Sequence, residues 1–351
     1  MSRVCLDARF LFCGGIGTYL KNLLWHFREY APSFQLIVLH DAKERLSWLS
    51  KFDLICVPSK HFTFKEQIDF FRFIPECELF WSPHINVPLL PIRAKKRLVT
   101  IHDAYHLAYL HTFSWFEKRM IKMFFSKALS ASMLITVSEF SKNELQKYTQ
   151  ADPSKIRVIY HGADHIHKKC IEMPIREPFL LYVGNIKPHK NIHRLLQAFH
   201  LLKQKGFKEL RLKIIGKKEG FRQLEHLVHQ EHVDVLEHVK DEELPNYYAQ
   251  AQALVLPSLY EGFGLTALEA MAAGCPTIVS RTASIPEICG DASYYFDPLS
   301  EKSIAEALET VLLNEGLKKE LREKGKSRST LFSWKHSAER HLQLLEEAIR
   351  L

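Results

Sequence analysis

Pro257-Ser258-Leu259-Tyr260-Glu261-Gly262-Phe263-Gly264-Leu265-Thr266-Ala267-Leu268-Glu269 follows an apolar run at 253 to 256, turns through two glycines and enters a helix-forming segment. Strand, glycine loop and helix in that order make the repeating unit of a parallel α/β sheet. The glycines let backbone amides approach a ligand closely. The unpaired N–H groups at the helix start, with the helix dipole behind them, favour an anion such as phosphate. Glu261 stands in the loop and Glu269 about one turn into the helix, on the face of Leu265, so two carboxylates can flank one polar ligand. Spacing alone leaves a plainer reading equally open, a loop carboxylate and a solvated helix carboxylate.

Outward from this stretch the same alternation recurs. Residues 179 to 183, 210 to 215, 235 to 239 and 276 to 279 read as strands, with a loop at 184 to 188 and a helix from 191 to 202. Nearer the N-terminus, strands are expected at 3 to 8, 34 to 39, 98 to 101 and 133 to 137, and helices at about 18 to 30 and 139 to 147. Ser138 occupies a helix N-cap position. Residues 161 to 178 carry Gly162, Pro174 and Pro178 without periodicity and separate two such regions. A chain of 351 residues exceeds one ordinary hydrophobic core. The expected fold is α/β, with two Rossmann-like, doubly wound parallel-sheet domains facing across a cleft. The expected division is residues 1–165, a link at 166–178, residues 179–333, and an amphipathic helix at 334–351 packing across the domain boundary. Ligands of such sheets bind outside the strand carboxyl ends.

Composition narrows the class. An apolar fraction of 46% beside 25% charged residues excludes a disordered or fibrous chain. No apolar run approaches the ~20 residues that span a bilayer. Asp7 interrupts the start before a signal-peptide core can form, so a cytoplasmic protein is expected. Seven cysteines are scattered singly, and neither His161, His165 and His167 nor His226, His229 and His232 show paired zinc spacing, so reduced thiols and no metal are expected. The charge of +8 suits phosphate-rich ligands or an anionic membrane surface. No nucleic-acid partner is expected. Residues 113 to 127 mix Trp115, Phe116, Met120, Met123, Phe124 and Phe125 with Lys118, Arg119, Lys122 and Lys127. A core-packed helix with solvated basic residues is expected there, and a helix lying on an anionic membrane at its inner face is the alternative.

The segment from Ser258 to Ser280, with its Glu-x7-Glu frame and its Glu269-Ala270-Met271-Ala272-Ala273-Gly274-Cys275-Pro276 continuation, resembles the signature of retaining GT-B glycosyltransferases of family 4 (glycosyltransferase group 1). Mannosyltransferase-like members are included. The likeness runs from Gly14 to Trp334. It implies a donor nucleotide held mainly by the second domain, with Glu269 on the ribose hydroxyls, Glu261 beside the donor sugar, and Gly262, Phe263, Gly264, Leu265 and Thr266 around the diphosphate.

Lys190, in Gly184-Asn185-Ile186-Lys187-Pro188-His189-Lys190-Asn191, matches the family's phosphate-binding lysine. A diphosphate leaving group gains charge as the sugar bond breaks, and an ammonium beside it stabilises that charge where it develops. Many relatives carry an arginine directly after the glycine or before the lysine, where this chain has Asn185 and His189. Neutral imidazole is the weaker donor. The resemblance assigns Gly15 and Gly17 to a loop closing over the donor phosphate and sugar. It places His102 near the reacting sugar, and Asp103 and Ser138 on the acceptor side, Asp103 orienting the imidazole or binding acceptor. A rival reading of Gly15-x-Gly17 as a dinucleotide fingerprint with Asp41 lacks the third glycine, where Leu20 stands.

The resemblance implies transfer of a sugar from a GDP- or UDP-sugar to a glycan or lipid-linked hydroxyl, in cell-surface glycan or lipopolysaccharide assembly, with net retention. No cofactor and no metal are expected. The loop at His238-Val239 is expected to contact the base. A sugar-nucleotide epimerase, a glycan phosphorylase and a non-catalytic sugar-nucleotide binder are the alternatives.

Overall fold

The computed structural model describes residues 1–41, 47–166, 177–216, 231–237 and 239–350. The chain divides into two compact units, Met1–His161 with Trp334–Leu351, and Gly162–Ser333.

The first unit runs β1 Ser2–Asp7, α1 Gly14–Phe27, β2 Phe34–His40, β3 Asp53–Cys56, α2 Phe64–Phe73, β4 Cys77–Ser82, β5 Ala94–Ile101, α3 Tyr105–Ala108, α4 Trp115–Leu129, β6 Met133–Thr136, α5 Glu139–Tyr148 and β7 Ile156–Val158. Among the described residues its sheet has seven strands in the order β3-β2-β1-β4-β5-β6-β7, every pair parallel. Strand order reverses between β1 and β4, the switch point where such sheets open a crevice. Cys5, Leu39, Phe70 and Phe80 form one core cluster, and Val99, Ile101, Phe124 and Phe125 belong to another.

Two helices differ from expectation. α1 begins at Gly14, so the glycine cluster is its first turn rather than a preceding loop. α4 is capped by a reciprocal Ser114–Glu117 box, but only Phe124, Phe125 and Ala128 of it are buried. Trp115 and Phe116 are exposed, because the core reaches only the last turns of this helix.

The second unit runs β8 Phe179–Val183, α6 Ile192–Gln204, β9 Arg211–Ile215, β10 Val233–Leu236, α7 Leu244–Gln250, β11 Ala253–Leu256, α8 Leu265–Ala272, β12 Thr277–Ser280, α9 Ile285–Cys289, β13 Tyr294–Phe296, α10 Glu301–Leu313 and α11 Glu315–Ser329. Its described strands form a parallel sheet, β10-β9-β8-β11-β12-β13. Here the order reverses between β8 and β11. β10 ends at Leu236, earlier than expected, and His238 lies outside the described residues.

The chain leaves the first unit at His161 rather than at 165, and most of the expected link, 167–176, lies outside the described residues. The earlier break has a local cause. Ala163 N–H donates to the Phe332 carbonyl at 3.3 Å and the Ser333 hydroxyl to Asp164 at 3.0 Å, tying residues 163 and 164 to the end of the second unit.

The last helix, α12 Trp334–Arg350, belongs to the first unit and packs on α1, β4 and β5. The chain thus leaves the second unit at Ser333 and ends on the first. Trp334 and Leu345 are fully buried, and His341 Nε2 meets the Tyr19 hydroxyl at 2.7 Å. His341 Nδ1 lies 2.7 Å from the Ser337 carbonyl, which can only accept, so Nδ1 carries the proton and Nε2 accepts from Tyr19. Burial pulls the His341 pKa down to about 4, and the ring stays neutral at neutral pH.

Candidate functional site

β8 and β11 are hydrogen-bonded neighbours at the second switch point, so the loops that leave their carboxyl ends emerge side by side. They are stitched together: Leu259 N–H donates to the His189 carbonyl at 2.7 Å, and Asn191 Nδ2 donates to the carbonyls of Pro257 at 3.0 Å and Pro298 at 2.7 Å. Asn191 is fully buried and left-handed, with φ 59°, a conformation asparagine tolerates better than most residues. It joins the loops after β8, β11 and β13, and its rigid turn fixes the lysine before it.

Lys190 Nζ lies 2.7 Å from Glu261 Oε1, with both side chains mostly buried. The same carboxylate oxygen accepts from Ser258 Oγ at 2.7 Å. Ser284 Oγ donates to the Glu261 carbonyl at 2.9 Å and Ser280 Oγ to the Ser258 carbonyl at 2.6 Å, so the loop around Glu261 is pinned from β12 and from the turn that follows it. Gly264 closes this loop with φ 92°, a left-handed turn that a side chain would strain, and caps α8. The N–H groups of Ala267 and Leu268 bond back to the Gly264 carbonyl. Those of Leu265 and Thr266, the first two of the helix, have no acceptor among the described residues and leave the N-terminal end of α8 with unpaired donors. Phe263 is buried edge-on to Phe332 at 6.0 Å. The two positions where the arginines of relatives would stand are used differently. Asn185 is exposed and its carbonyl accepts from Tyr182 at 3.1 Å, while the His189 carbonyl holds the neighbouring loop.

Glu269 is not a solvated helix residue. It is 5% exposed, accepts from the Tyr248 hydroxyl at 2.9 Å, and lies 3.3 Å from His165 Nε2. Burial and the adjacent carboxylate push the Tyr248 hydroxyl pKa far up, so it remains a donor. Neither partner was legible in the sequence, since Tyr248 comes from α7 and His165 from the turn before the link.

In the first unit, His102 follows β5 at the end where a crevice residue belongs. Its Nε2 lies 2.9 Å from the Pro83 carbonyl, at the end of neighbouring β4. A carbonyl only accepts, so Nε2 carries the proton. Burial lowers the His102 pKa despite the opposing Pro83 carbonyl and Asp103, and the neutral ring leaves Nδ1 as a lone-pair acceptor. Tyr19 stands edge-on to it at 5.0 Å and His161 lies at 5.7 Å. Asp103 does not hold the imidazole. Its carboxylate accepts from Tyr105 N–H at 2.9 Å, at the start of α3. Ser138 is buried and caps α5 by accepting from Ser141 N–H at 3.0 Å. Of the remaining histidines, His161 packs against Trp334 at 5.2 Å, His232 approaches Glu231 at 3.4 Å, and His167, His226 and His229 lie outside the described residues.

The two glycines assigned to the donor have different surroundings. A Cβ on Gly17 would sit 2.5 Å from the Leu11 carbonyl oxygen, so its bare Cα is what lets α1 abut that turn. A Cβ on Gly15 meets nothing within 4 Å. Gly17→Ala is therefore expected to cost about 1–3 kcal/mol of stability, whereas Gly15→Ala leaves stability equal or raises it by up to about 1 kcal/mol. Urea unfolding of both variants checks this. Equal stability of the two would contradict it.

Comparison with known proteins gives the family. Residues 13–166 match the family described as Glycosyltransferase Family 4, and residues 166–328 match Glycosyl transferases group 1. The O-antigen chain mannosyltransferase B of Escherichia coli is 30% identical over 271 residues, covering 70% of this chain and 69% of its own. The O-antigen chain mannosyltransferase RfbU of Salmonella typhimurium (strain LT2) is 31% identical over 247 residues, covering 67% of this chain and 65% of its own. The fold is shared with sucrose-phosphate synthase of Thermosynechococcus elongatus, at TM-score 0.82, 19% identity and 99% coverage of both chains. The two matched regions, the relatives and the two parallel-sheet units make this chain a member of glycosyltransferase family 4, group 1, with the GT-B fold.

Proposed function

We propose that this glycosyltransferase moves a mannosyl unit from a nucleoside diphosphate sugar, GDP- or UDP-linked, to a hydroxyl of a cell-surface glycan or lipid-linked acceptor, with retention at the anomeric carbon. The observation that carries the donor assignment is the Lys190–Glu261 pair beside the open amide end of α8. The two O-antigen mannosyltransferases among its relatives support the sugar and the acceptor class.

In this reading Lys190 and the amides of Leu265 and Thr266 receive the diphosphate and stabilise the charge it gains as the glycosidic bond breaks. Glu261 holds the ammonium in place before the donor arrives and then faces the sugar. Glu269 accepts from the ribose hydroxyls, and the neutral His102 offers Nδ1 to a sugar hydroxyl. Attack comes from the face the leaving group departs, and the departing phosphate oxygen takes the acceptor proton. The protein's own cation and helix dipole meet the leaving-group charge, so the reaction is assigned no divalent metal. The site is cytoplasmic, with peripheral contact at an anionic inner membrane face. The exposed Trp115 and Phe116 of α4, beside Arg119 and Lys122, support that contact.

A thermal-shift panel of UDP-, GDP- and ADP-sugars tests the donor, because a ligand selective for the native state raises the melting temperature. A GDP- or UDP-mannose shift, followed by transfer that persists in chelator, is expected. No shift with any nucleotide sugar would sink the reading, and activity lost to chelator would remove the metal-free part. His165→Ala, which takes away one of the two groups holding Glu269, is expected to raise the donor KM by about 2–10-fold at nearly unchanged kcat. An unaltered donor KM would separate Glu269 from the donor.

A further inference from the structure

α2 buries polar side chains beside Phe70 and leaves an apolar stripe outside. Its acidic and amide side chains, Glu66, Gln67 and Asp69, are buried, Glu66 at 0% exposure. Phe70 faces the core, whereas Phe64, Ile68 and Phe71 are 81%, 49% and 51% exposed. Those three stand at i, i+4 and i+7, one stripe of a helix, so the outward face is a continuous apolar ridge rather than scattered residues. An apolar face of this kind on a protein surface marks an interaction site.

The phase of the helix is fixed from within. Glu66 receives Arg9 Nη2 at 2.7 Å, Asn86 Nδ2 at 2.8 Å and the Phe62 N–H at 2.6 Å, while Thr63 caps the helix by accepting from Glu66 N–H at 3.2 Å. With Glu66 locked inward, Phe64, Ile68 and Phe71 have only the outside to face. Phe62, two residues before Phe64, adds further exposed apolar surface. It is 55% exposed and held at φ 58°, a conformation a bulky side chain avoids unless its surroundings impose it.

Exposed cations lie on and beside the helix. Lys60, Lys65, Arg72 and Arg93 are exposed there, Arg93 lying 5.9 Å above the Phe71 ring. The acidic residues of α2 itself are buried, so its exposed face carries only positive charge. Apolar side chains among lysines and arginines, with no exposed carboxylate on the helix, complement an anionic bilayer surface, where the ridge enters the headgroup boundary and the cations meet lipid phosphate.

We propose that α2 and Phe62 form the principal anchor by which this protein docks on an anionic lipid surface. The inference rests on the reading of peripheral membrane contact above and assigns that contact to α2 rather than to α4. A lipid-linked acceptor would then be met at the bilayer.

The full-length protein is floated with vesicles of phosphatidylglycerol mixed with phosphatidylethanolamine, and with vesicles of phosphatidylcholine alone. The wild type is expected to bind the anionic vesicles selectively. The double variant F64S/F71S is expected to bind them about tenfold or more weakly, with unchanged circular dichroism and unchanged transfer to a soluble acceptor. K65E/R72E is expected to lose the preference for anionic lipid. F64W keeps the apolar body, and its emission is expected to shift to the blue on anionic vesicles beyond any wild-type change. Wild-type protein that ignores anionic vesicles overturns both the membrane reading and this anchor. Binding that survives F64S/F71S but is lost in W115S/F116S overturns the anchor and leaves the membrane reading standing. An oligomer that F64S/F71S dissociates, with vesicle binding unchanged, assigns the ridge to a second copy of the chain and also overturns the anchor.

Discussion

Lys190→Ala is expected to lower kcat/KM by about 100-fold or more, with little change in melting temperature. The lysine meets Glu261 at 2.7 Å and is the cation that the βα loop holds beside the opening of α8. Its loss removes a positive charge and leaves the Glu261 carboxylate facing the diphosphate, so both donor binding and leaving-group stabilisation suffer. Glu261→Gln separates the two contributions. Lys190 is then released from its partner, so the nucleoside diphosphate should bind at least as tightly as to the wild type while transfer still falls. Steady-state kinetics with calorimetric nucleotide titration measure both. Near-normal turnover of Lys190→Ala would remove the phosphate-clamp assignment.

Arg9→Met is expected to destabilise the first unit by about 3–5 kcal/mol at neutral pH. Arg9 is 1% exposed, grips Asp7 through two hydrogen bonds of 2.7 Å, reaches Glu66 at 2.7 Å, and lies 4.6 Å over the Phe70 ring. Removing it strands two buried carboxylates. Burial already pushes the Glu66 carboxyl up against the opposing pull of Arg9. In the variant that pull is gone, so the folded-state pKa rises further above the unfolded value. A carboxyl with a raised folded pKa costs no stability below the unfolded pKa and progressively more as pH climbs past it. The deficit of the variant should therefore be largest near pH 7 and shrink toward pH 4. Urea titrations of variant and wild type at the two pH values check the sign, and a deficit that grows on acidification would contradict it.

Much of the fold was legible because both sheets are parallel and buried on two faces. Such strands read as continuous apolar runs, and 179 to 183 and 253 to 256 coincide with β8 and β11 residue for residue. β4 was not anticipated. Its Cys-Glu-Leu-Phe-Trp-Ser sequence carries Glu78, whose carboxylate takes the Arg3 N–H of neighbouring β1 at 2.6 Å. β7, of three residues, is too short for any period to show. The burial of Glu66 on the inner face of α2 also escaped the sequence. A helical pattern reveals a stripe but not which side of it faces the core, and only the partner of Glu66, an arginine 57 positions away, decides that.

The Glu261-to-Glu269 stretch behaves in the same divided way. By itself the sequence determined that it is a strand, a glycine turn and a helix, because glycine conformational freedom and helix-end chemistry are local properties. With its continuation through Ser280 it also carried the family. The tertiary structure decided what each carboxylate does. Glu261 is drawn to Lys190 because β8 and β11 are neighbours in the sheet though 70 residues apart in the chain, and Glu269 is buried because Tyr248 and His165 arrive from other elements. The same difference holds for Gly15 and Gly17, identical in the sequence and two residues apart, one against open space and the other against the Leu11 carbonyl. Local propensity writes the order of elements along the chain, whereas the partner of a buried charge or the neighbour of a bare Cα is set by residues that only folding brings near.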